Sequence, residues 1–538
     1  MMGTQVVLKG SRRVHREGAQ VLGRTDPQDW CELTLKLRRK APLPEPAAQG
    51  RATLTRSTLE AKHGASADDI DTVERVLTRL GIQIVSKNPG SRSIQAAGPA
   101  SVMETAFGVH LLRVVHDSRH YRGRVGDIHL PAELEAIVVG VFGLDNRPMV
   151  RHRRAVGSHC AGQSLPPPGA RPWFFPQELA AAYDFPSAAC SGQTVGLIEL
   201  GGQVVEADLQ AFLTAASLPP VPTPVCVLAE VLTAADSADA DSTGEVMLDV
   251  EVVAAVCPGA KIVCYFSHFT EQGWIDVLDR AIHDTTNNPT VLSVSWGLAE
   301  GEEIWTGQAM SAINDALKEA ANLGIPVCVA AGDDGSADQV GDGRAYVDFP
   351  SSSPYVLCVG GTSLKKSTNG TVETVWKDGD GTRADGGGST GGGVSTVFAV
   401  PAWQAGVAVP SVNPGAIAGR CVPDVAANAA GSTGYLMVAG GTRQVSGGTS
   451  AASPLWAGLI ARLNATLSAD KHVNYLTPLL YAPNAKTGGQ PLGALGCKDI
   501  TQGDNDTSAA GGYSAQAGYD AVTGWGSPNG ATLLKLLQ

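Results

Sequence analysis

Several patterns that mark large classes of proteins are missing from this 538-residue sequence. Aromatic residues make up only 5% of it, which leaves little surface for stacking bases or sugars. Its ten cysteines show no CxxC spacing, which argues against a zinc ribbon. Residues 1–18 contain no apolar signal segment, and the uncharged stretch 386–419 is too rich in Gly, Pro, Ser and Asn to span a bilayer. We therefore expect no nucleic-acid or membrane partner.

Positive and negative charges are unevenly divided along the chain. Residues 1–170 hold 24 Lys and Arg against 16 Asp and Glu, whereas residues 171–538 hold 16 against 36. The first part therefore carries +8 and the second −20. This asymmetry favours docking of the first part on the second, and protonation of carboxylates would weaken the docking. A basic half could instead bind nucleic acid, but its Lys and Arg are spread out rather than clustered.

The length and the pattern of apolar residues indicate two domains. Residues 1–29 form a polar tail in this interpretation. Residues 30–150 show a βαββαβ-like order, which predicts a small α+β, ferredoxin-like unit. Residues 151–172 combine four arginines with Pro and Gly and have no hydrophobic period, as is typical of an exposed linker that is open to cleavage.

Residues 173–538 contain continuous apolar runs separated by helical stretches. This pattern predicts an α/β domain with a doubly wound parallel sheet, in which functional residues lie at the carboxyl ends of the strands. The predicted strands are 194–200, 261–266, 290–295, 325–331 and 355–360. Three cysteines fall in these runs, where a buried free thiol is the expected state: Cys264, Cys328 and Cys358.

The segment SGGTSAASP places a Gly-Thr-Ser turn directly before an apolar helix. Helix amides next to such a turn can stabilise an oxyanion, so Ser450 is a candidate nucleophile. The alternative is that Ser450 or Thr449 is a simple N-cap, which is the commoner role of serine before a helix. A nucleophilic serine needs a base, yet residues 171–538 contain only three histidines, none in a setting that places it beside this serine: His268, His283 and His472.

Carboxylates are therefore the candidates for the base. Glu245 and Asp249 are four residues apart on a predicted helix and share one face of it. A pair that shares a proton would supply a base with a raised pKa, whereas the alternative is a solvated helix face. Asp333 follows a buried strand and could donate to an oxyanion if protonated, although an Asp-Gly turn is the favoured interpretation of either acid taken alone. Glu199, at the end of another strand, could extend this network or cap a loop.

Five segments together resemble one family. SGGTSAASP, STGEVMLDVEV, VSWG, AAGDDGS and GRCVPDVAANA are similar to the sedolisins, the serine-carboxyl peptidases, and most closely to their kumamolisin group. The resemblance extends to YRGRVGDIHLP and VFGLDNRP, which are similar to the prodomain of the family. It implies a subtilisin-like fold, endopeptidase activity at acid pH and a prodomain that is removed autocatalytically.

The resemblance also implies roles for individual residues. Ser450 becomes the nucleophile, Glu245 its general base, Asp249 the partner of Glu245, and Asp333 the acid of the oxyanion hole. Glu199 and Trp296 match positions that flank this network.

One structural calcium ion is implied as well. Its ligands would be the carboxylates of Asp499 and Asp520 and the main-chain carbonyls of Ile500, Gln516 and Gly518. Hard oxygen donors from two loops suit calcium. Gln516 stands where the family usually has glycine, and a carbonyl ligand survives there only if the backbone angle is open to other residues. Without the resemblance, two turn aspartates would be the preferred interpretation.

We thus predict a monomeric, extracellular zymogen whose basic prodomain covers the acidic catalytic domain and whose substrates are proteins or peptides. Two alternatives remain open at this point. One is a neutral, histidine-dependent serine peptidase of subtilisin-like fold. The other is a catalytically silent scaffold, which the presence of Ser450, Glu245, Asp249 and Asp333 disfavours.

Overall fold

The computed structural model describes residues 4–46, 54–149, 155–159, 171–301, 304–367, 370–383 and 387–538. The elements of the first 149 residues are β1 Gln5–Val7, β2 Gln20–Arg24, β3 Trp30–Leu37, α1 Arg56–His63, α2 Ala67–Arg79, β4 Gln83–Asn88, β5 Ser93–Pro99, α3 Ala100–Phe107, β6 Leu112–His116, β7 Arg119–Gly123, β8 His129–Pro131 and β9 Val138–Phe142.

The elements of the rest of the chain begin with β10 Ala155–His159. They continue as α4 Pro176–Ala182, β11 Thr194–Glu199, α5 Glu206–Ala215, β12 Val225–Leu228, α6 Ala234–Ala238, α7 Ala240–Val256, β13 Lys261–Phe266, α8 Glu271–Ile282, β14 Val291–Val294, β15 Leu298–Ala299, α9 Gly307–Leu323, β16 Val327–Ala330, β17 Asp348–Phe349, β18 Leu357–Ser367, β19 Gly370–Val375, β20 Lys377–Asp378, β21 Gly388–Ser389, β22 Gly393–Val394, β23 Cys421–Val422, β24 Val425–Asn428, β25 Tyr435–Ala439, β26 Thr442–Gly447, α10 Thr449–Thr466, α11 Leu476–Tyr481, α12 Leu492–Gly496, β27 Cys497–Lys498, β28 Ser527–Pro528 and α13 Gly530–Leu537.

The amino-terminal unit is built on an antiparallel sheet of order β4-β5-β3-β9. Helix α2 begins after Ser66, whose hydroxyl accepts the N–H of Asp69, and it buries Val73, Val76 and Leu77 against this sheet. The strand and helix order β3-α2-β4-β5-α3-β9 agrees with the predicted ferredoxin-like pattern. The last strand of the pattern is β9, however, because β6 pairs with β2 and β7 in a separate sheet.

Residues 5–24 differ from the predicted polar tail. Strand β1 pairs with β8, and β2 pairs with β6, both antiparallel. Leu8 joins the core of the amino-terminal unit, which ties the segment to it. The prediction of a tail over residues 1–29 is wrong here because both strands are short and mostly exposed, so they carry little hydrophobic signal.

The second unit contains an eight-stranded sheet whose main path is β12-β13-β11-β14-β16-β18-β19, with β24 paired to β18. All pairs are parallel except β18 with β19. Four of the five predicted apolar runs contain one of its strands, and the run 355–360 covers the first four residues of β18. Cys264, Cys328 and Cys358 are buried free thiols in β13, β16 and β18, as predicted.

Helices cover both faces of this sheet. Residues of α5, α7 and α10 pack into the core on one face, and residues of α8 and α9 pack on the other. Crossover helices on both faces are the reason that the sheet can be parallel and hydrophobic throughout. Among the described residues, no helix is both long and apolar enough to cross a membrane.

Of the predicted linker, 151–172, the structure describes residues 155–159 and 171–172. Residues 155–159 form strand β10, so this part is not the irregular chain that the sequence suggested. The rest of the linker prediction lies outside the described residues.

The amino-terminal unit docks on α8 and α9 partly through main-chain and apolar contacts. Gln308 imitates a peptide group: its amide nitrogen donates to the carbonyl of Val141 at 2.9 Å, and its amide oxygen accepts the N–H of Val141 at 3.1 Å. Phe142 and Met149 join the core of the second unit. This core extends across the interface between the two units.

Buried ion pairs cross the same interface. Lys36 of β3 lies 2.7 Å from Asp279 of α8, and Arg13 lies 3.0 Å from Glu271. The side chains of Lys36 and Arg13 are each 2% exposed. In both of these pairs the cation comes from the first unit and the carboxylate from the second, as the charge division predicts. The more exposed pair of Lys318 with Glu45 has the opposite direction.

A larger charge cluster lies at the end of α9. Arg39 and Arg92 of the first unit both contact Asp315 and Glu319, and His283 lies 2.7 Å from Glu319. Burial raises the pKa of Glu319, but the hydrogen bond from His283 and the charges of Arg39 and Arg92 outweigh it and hold the pKa well below its usual value. Glu319 therefore stays ionised and paired at moderately acid pH.

The substitution Lys36→Met tests whether buried pairs hold the first unit in place. It leaves Asp279 buried without its cation, so we expect the free energy of unfolding to fall by about 3–5 kcal/mol. The matched control is Lys87→Met, since Lys87 lies 2.8 Å from Glu74 but both side chains are 40% exposed. Exposed pairs contribute less than about 1 kcal/mol. Denaturant unfolding of both variants in a Ser450→Ala chain measures the difference, and equal losses would contradict the account.

Candidate active site

The candidate nucleophile lies at the amino end of α10. Gly448 is the N-cap, with φ 101° and ψ 159°, and makes no side-chain capping bond. That positive φ favours glycine, so a residue with a Cβ would be strained there. Neither Thr449 nor Ser450 is the N-cap, which sets the alternative role aside. Ser450 is the second helical residue, where main-chain N–H groups have no partner within the helix and can serve a ligand.

Ser295 links the candidate nucleophile to α7. It follows β14, at the carboxyl end of the parallel sheet. Its hydroxyl donates to both carboxylate oxygens of Asp249 at 2.8 Å and lies 3.1 Å from the carbonyl of Ser450. The hydroxyl of Ser450 in turn donates to the carbonyl of Ser295 at 3.3 Å. Ser295 therefore connects β14, α7 and α10 at one point.

The acidic residues predicted on α7 lie inside the protein. Glu245 and Asp249 have no solvent exposure, and neither has Glu199 at the end of β11. Burial raises the pKa of Asp249 far above its usual value, and the negative charges of Glu199 and Glu245 raise it further, while the bond from Ser295 offsets part of this. Burial likewise raises the pKa of Glu199, against the hydrogen bond that the indole N–H of Trp296 donates at 3.2 Å.

Asp333 lies at the end of β16, beside the start of α10. One of its carboxylate oxygens accepts the N–H of Thr449 at 2.8 Å and the hydroxyl of Thr449 at 2.7 Å. Asp334 points elsewhere and pairs with Arg383, whose charge outweighs burial and lowers the pKa of Asp334. The two adjacent aspartates thus have different partners, and Asp333 is the one that lies next to the candidate nucleophile.

Glu251 points away from this site. Its carboxylate accepts the N–H of Val438 at 2.9 Å. Burial raises its pKa well above the usual value, the bond from Val438 counteracts this, and the charge of Asp208 adds to it. Glu251 is therefore a second buried acid on α7 that is separate from the cluster around Ser450.

Two of the three histidines of the second unit have other partners. His268 contacts the carboxylate of Asp236 at 3.1 Å, and His283 contacts Glu319 in the interface cluster. His472 is the C-cap of a short 3-10 helix.

The predicted calcium ligands come from two adjacent loops. Gly518 donates its N–H to the carboxylate of Asp499 at 2.9 Å, and Gln516 donates to Asp520 at 3.1 Å. Asp520 is 1% exposed, and burial raises its pKa to about 6 against hydrogen bonds that include those from Thr523 and Gln516.

The main chain at Gln516 suits a residue other than glycine. Gln516 is absent from the positive-φ residues of the described chain, whereas Gly518 has φ 85°. The main-chain conformation at Gln516 therefore does not require glycine. Among the described residues, no three His, Cys, Asp or Glu side chains cluster as metal ligands.

Comparisons with known proteins agree with this arrangement. Residues 39–147 match the Pro-kumamolisin activation domain, and residues 233–478 match the subtilase family. Kumamolisin from Bacillus sp. (strain MN-32) is 40% identical over 517 residues, which is 94% of this chain and 89% of that protein. The chain belongs to the sedolisin family of serine-carboxyl peptidases.

Other relatives support the same assignment. Tripeptidyl-peptidase sed5 of Aspergillus fumigatus is 30% identical, with 99% of this chain and 97% of that protein covered. The solved structure of Pseudomonas sedolisin, a serine-carboxyl proteinase complexed with pseudo-iodotyrostatin, covers 68% of this chain and 98% of its own, with 29% identity and a TM-score of 0.57. This sedolisin-family chain is thus a peptidase with an activation prodomain and a subtilisin-like catalytic domain.

The structure connects Ser450 to Asp249 through Ser295, places Asp333 against Thr449, and buries Glu245 one turn before Asp249 on α7. Two of these residues, Ser295 and Thr449, were missed by the sequence analysis. Ser295 and Thr449 contact Asp249 and Asp333, respectively. Both lie inside motifs that the sequence analysis singled out, VSWG and GGTS. Their membership of these motifs was the only feature of the sequence that could have identified them. The residues that they contact are 46 and 116 positions away in the sequence, so no local pattern shows the contacts.

Proposed function

We propose that this chain is the zymogen of an acid-active serine endopeptidase, with Ser450 as nucleophile, Glu245 as general base and Asp333 in the oxyanion hole. The observation that supports it most is that the buried carboxylates of Asp249 and Asp333 are linked to Ser450 and to its neighbour Thr449, while His268 and His283 have partners elsewhere. This favours a carboxylate-assisted mechanism over the histidine-dependent alternative. The named peptidases among its relatives disfavour a silent scaffold.

Peptide hydrolysis runs through an acyl-enzyme in this proposal. The hydroxyl oxygen of Ser450 adds to the substrate carbonyl carbon while Glu245 takes its proton. The same proton passes from Glu245 to the leaving amine as the C–N bond breaks. Water then repeats the sequence, giving up a proton to Glu245 and releasing the carboxylic acid and the free serine. Asp249, held by Ser295, positions Glu245 and limits its motion.

The oxyanion of each tetrahedral intermediate would be stabilised by the main-chain N–H of Ser450 and by a protonated Asp333. Thr449 fixes the orientation of Asp333 with two hydrogen bonds to the same oxygen. A proton on the other oxygen of Asp333 would then have a fixed direction toward the oxyanion, and the side chain would not need to move during the reaction. Such preorganised donors give effective electrostatic stabilisation.

Acid activity follows from the charge balance of the site. The pKa values of Glu199 and Asp249 are raised, so both groups are neutral in acid and ionise as the pH rises. The pKa of such a carboxyl is higher in the folded than in the unfolded state. Its contribution to stability is therefore complete at a pH below the pKa of the unfolded state, and it is lost as the pH rises through the pKa of the folded state. Neutral pH therefore adds the repulsive charges of Glu199 and Asp249 beside Glu245.

The activation domain would act as an intramolecular inhibitor until the chain is cut within residues 151–172. We place the prodomain at residues 30–150 together with the paired strands of residues 5–24, and the catalytic domain at residues 173–538. Protein or peptide substrates, a monomeric state and an extracellular location complete the proposal. An internal cut of its own chain is an endopeptidase reaction, which is why that activity is proposed.

Intact mass spectrometry tests this function. After incubation at about pH 4, near the working range expected of carboxylate chemistry, we expect loss of the segment before the linker cut, and at pH 7 none. Ser450→Ala and Glu245→Gln should each abolish this processing. Glu251→Gln is the matched control, because it neutralises a buried acid on the same helix that faces Val438. Persistence of the full-length mass under all conditions would overturn the proposal. Cleavage confined to neutral pH would favour the histidine-dependent mechanism.

We also propose that one structural calcium ion binds at the carboxyl-terminal loops. The carboxylates of Asp499 and Asp520 and the carbonyls of Ile500, Gln516 and Gly518 would hold it. The donor set fits a hard cation, and a positive charge would offset the burial that raises the pKa of Asp520. When bound, the ion would brace these two loops and would take no part in the reaction.

Calcium removal tests this site through stability rather than activity. Calcium at one hundred times its dissociation constant should stabilise a Ser450→Ala chain by about 2.7 kcal/mol, and a chelator should remove the effect. Asp520→Asn should abolish the response. Asp504→Asn is the control, since Asp504 pairs with Lys377 at 2.7 Å on a nearby loop and should retain it. If calcium does not change the melting temperature of the Ser450→Ala chain, in which all proposed ligands are present, the site is ruled out.

A further inference from the structure

Two short turns lie side by side at the amino ends of two strands of the parallel sheet, at the edge opposite to the candidate active site. Each turn has the sequence Cys-x-Gly-x and ends directly before a strand: residues 190–193 precede β11, and residues 257–260 precede β13. Strands β11 and β13 are parallel neighbours in the sheet. Cys190 and Cys257 are therefore the first residues of two matching turns in adjacent segments.

The two turns also have the same backbone geometry. In each, the carbonyl of the cysteine accepts the N–H of the residue three positions later, at 3.0 Å for Gln193 and 3.1 Å for Ala260. The third residue is Gly192 in one turn and Gly259 in the other, with φ 85° and 86°. This hydrogen bond and this positive φ are the features of a type II turn, which favours glycine at its third position. Both cysteines are thus held at the start of the same type of turn.

A main-chain hydrogen bond and a shared arginine tie the turns together. The N–H of Cys190 donates to the carbonyl of Pro258 at 2.8 Å, and Pro258 directly follows Cys257. The guanidinium of Arg462 in α10 donates to the carbonyl of Pro186 and to that of the residue before Cys257. The segments that carry the two cysteines are therefore held against each other.

The thiols of Cys190 and Cys257 are in hydrogen-bond contact with each other. Both residues are buried, and both are free cysteines in the structure. The bond from Cys257 lowers the pKa of Cys190 against the effect of burial, and the charge of Arg462 lowers it further. The bond with Cys190 and burial raise the pKa of Cys257 well above its usual value, against the charge of Arg462. Cys190 is therefore the thiol of this pair that ionises first.

We propose that Cys190 and Cys257 form an intramolecular disulfide when the protein is in an oxidising environment. The proposed extracellular location is such an environment, since disulfides form and persist there. Thiols that already touch need only a small movement to form a sulfur–sulfur bond. The bond closes residues 190–257 into a loop that contains all of β11 and α7, the elements that carry Glu199 and Glu245.

The oxidant is a small-molecule disulfide such as oxidised glutathione. The thiolate of Cys190 attacks one sulfur of the oxidant, whose own S–S bond breaks and releases one thiolate. Cys257 gives its proton to that thiolate and attacks the Cys190 sulfur of the mixed disulfide, which displaces the second thiol. The two cysteines lose two electrons and two protons in total, and the oxidant becomes two thiols. The central residues of both turns are exposed, so local opening of a turn is sufficient for the oxidant to reach the pair.

Peptide mapping of the full-length Ser450→Ala chain tests the bond directly. The folded protein is equilibrated with oxidised and reduced glutathione at neutral pH, alkylated in denaturant, and digested without reduction. We expect one pair of peptides joined through Cys190 and Cys257. Alkylation of both of these cysteines, or a link of either one to a different cysteine, would overturn the inference. The chain is inactive and the oxidant is supplied, so the result does not depend on the proposed function or location.

Thermal melting gives a second measurement with a matched control. The oxidised Ser450→Ala chain should melt about 5 °C above the reduced chain, because a long closed loop restricts the unfolded state. Adding Cys190→Ala should abolish this difference. Adding Cys328→Ala, which removes a buried free thiol of β16, should preserve it. Equal melting temperatures of the oxidised and reduced chains, or a difference that survives in the Cys190→Ala variant, would contradict the proposal.

Discussion

The carboxyl groups of Glu199, Glu245 and Asp249 are completely buried, and the free-energy cost of burying them constrains the structure around Ser450, to which Ser295 links Asp249. Burial and mutual repulsion raise the pKa values of Glu199 and Asp249, so the cluster is compatible with folding only when most of it is neutral. The hydrogen bonds from Ser295 and Trp296 recover part of the penalty. The same condition sets the pH at which the proposed chemistry can run.

The carboxylates at the prodomain interface are paired with cations, unlike the buried carboxyls of Glu199 and Asp249. Buried arginines and a lysine of the first unit meet carboxylates of α8 and α9, and their charges keep Glu319 ionised in moderate acid. Complementary charge thus holds the prodomain on a catalytic domain of strongly negative charge. The ion pairs of Glu319 with Arg39 and Arg92 therefore persist into moderate acid.

Local sequence signals were sufficient for much of this description. Continuous apolar runs identified the parallel strands, and the spacing of Glu245 and Asp249 identified a shared helix face. Ser295 and Thr449 could not be assigned roles, because their contacts depend on tertiary packing. Strands β1 and β2 were missed because their side chains are mostly exposed. Strand β10 was missed because it depends on pairing with β26, which lies almost 300 residues later.

The central claim is that carboxylates, and not histidine, assist Ser450. The most direct measurement is the pH dependence of kcat/KM for the mature enzyme and for a variant carrying His268→Ala, His283→Ala and His472→Ala. The account predicts acid-limited profiles of the same shape, because no imidazole transfers the proton of Ser450. Loss of activity in the histidine-free variant, with correct folding shown by circular dichroism, would contradict it.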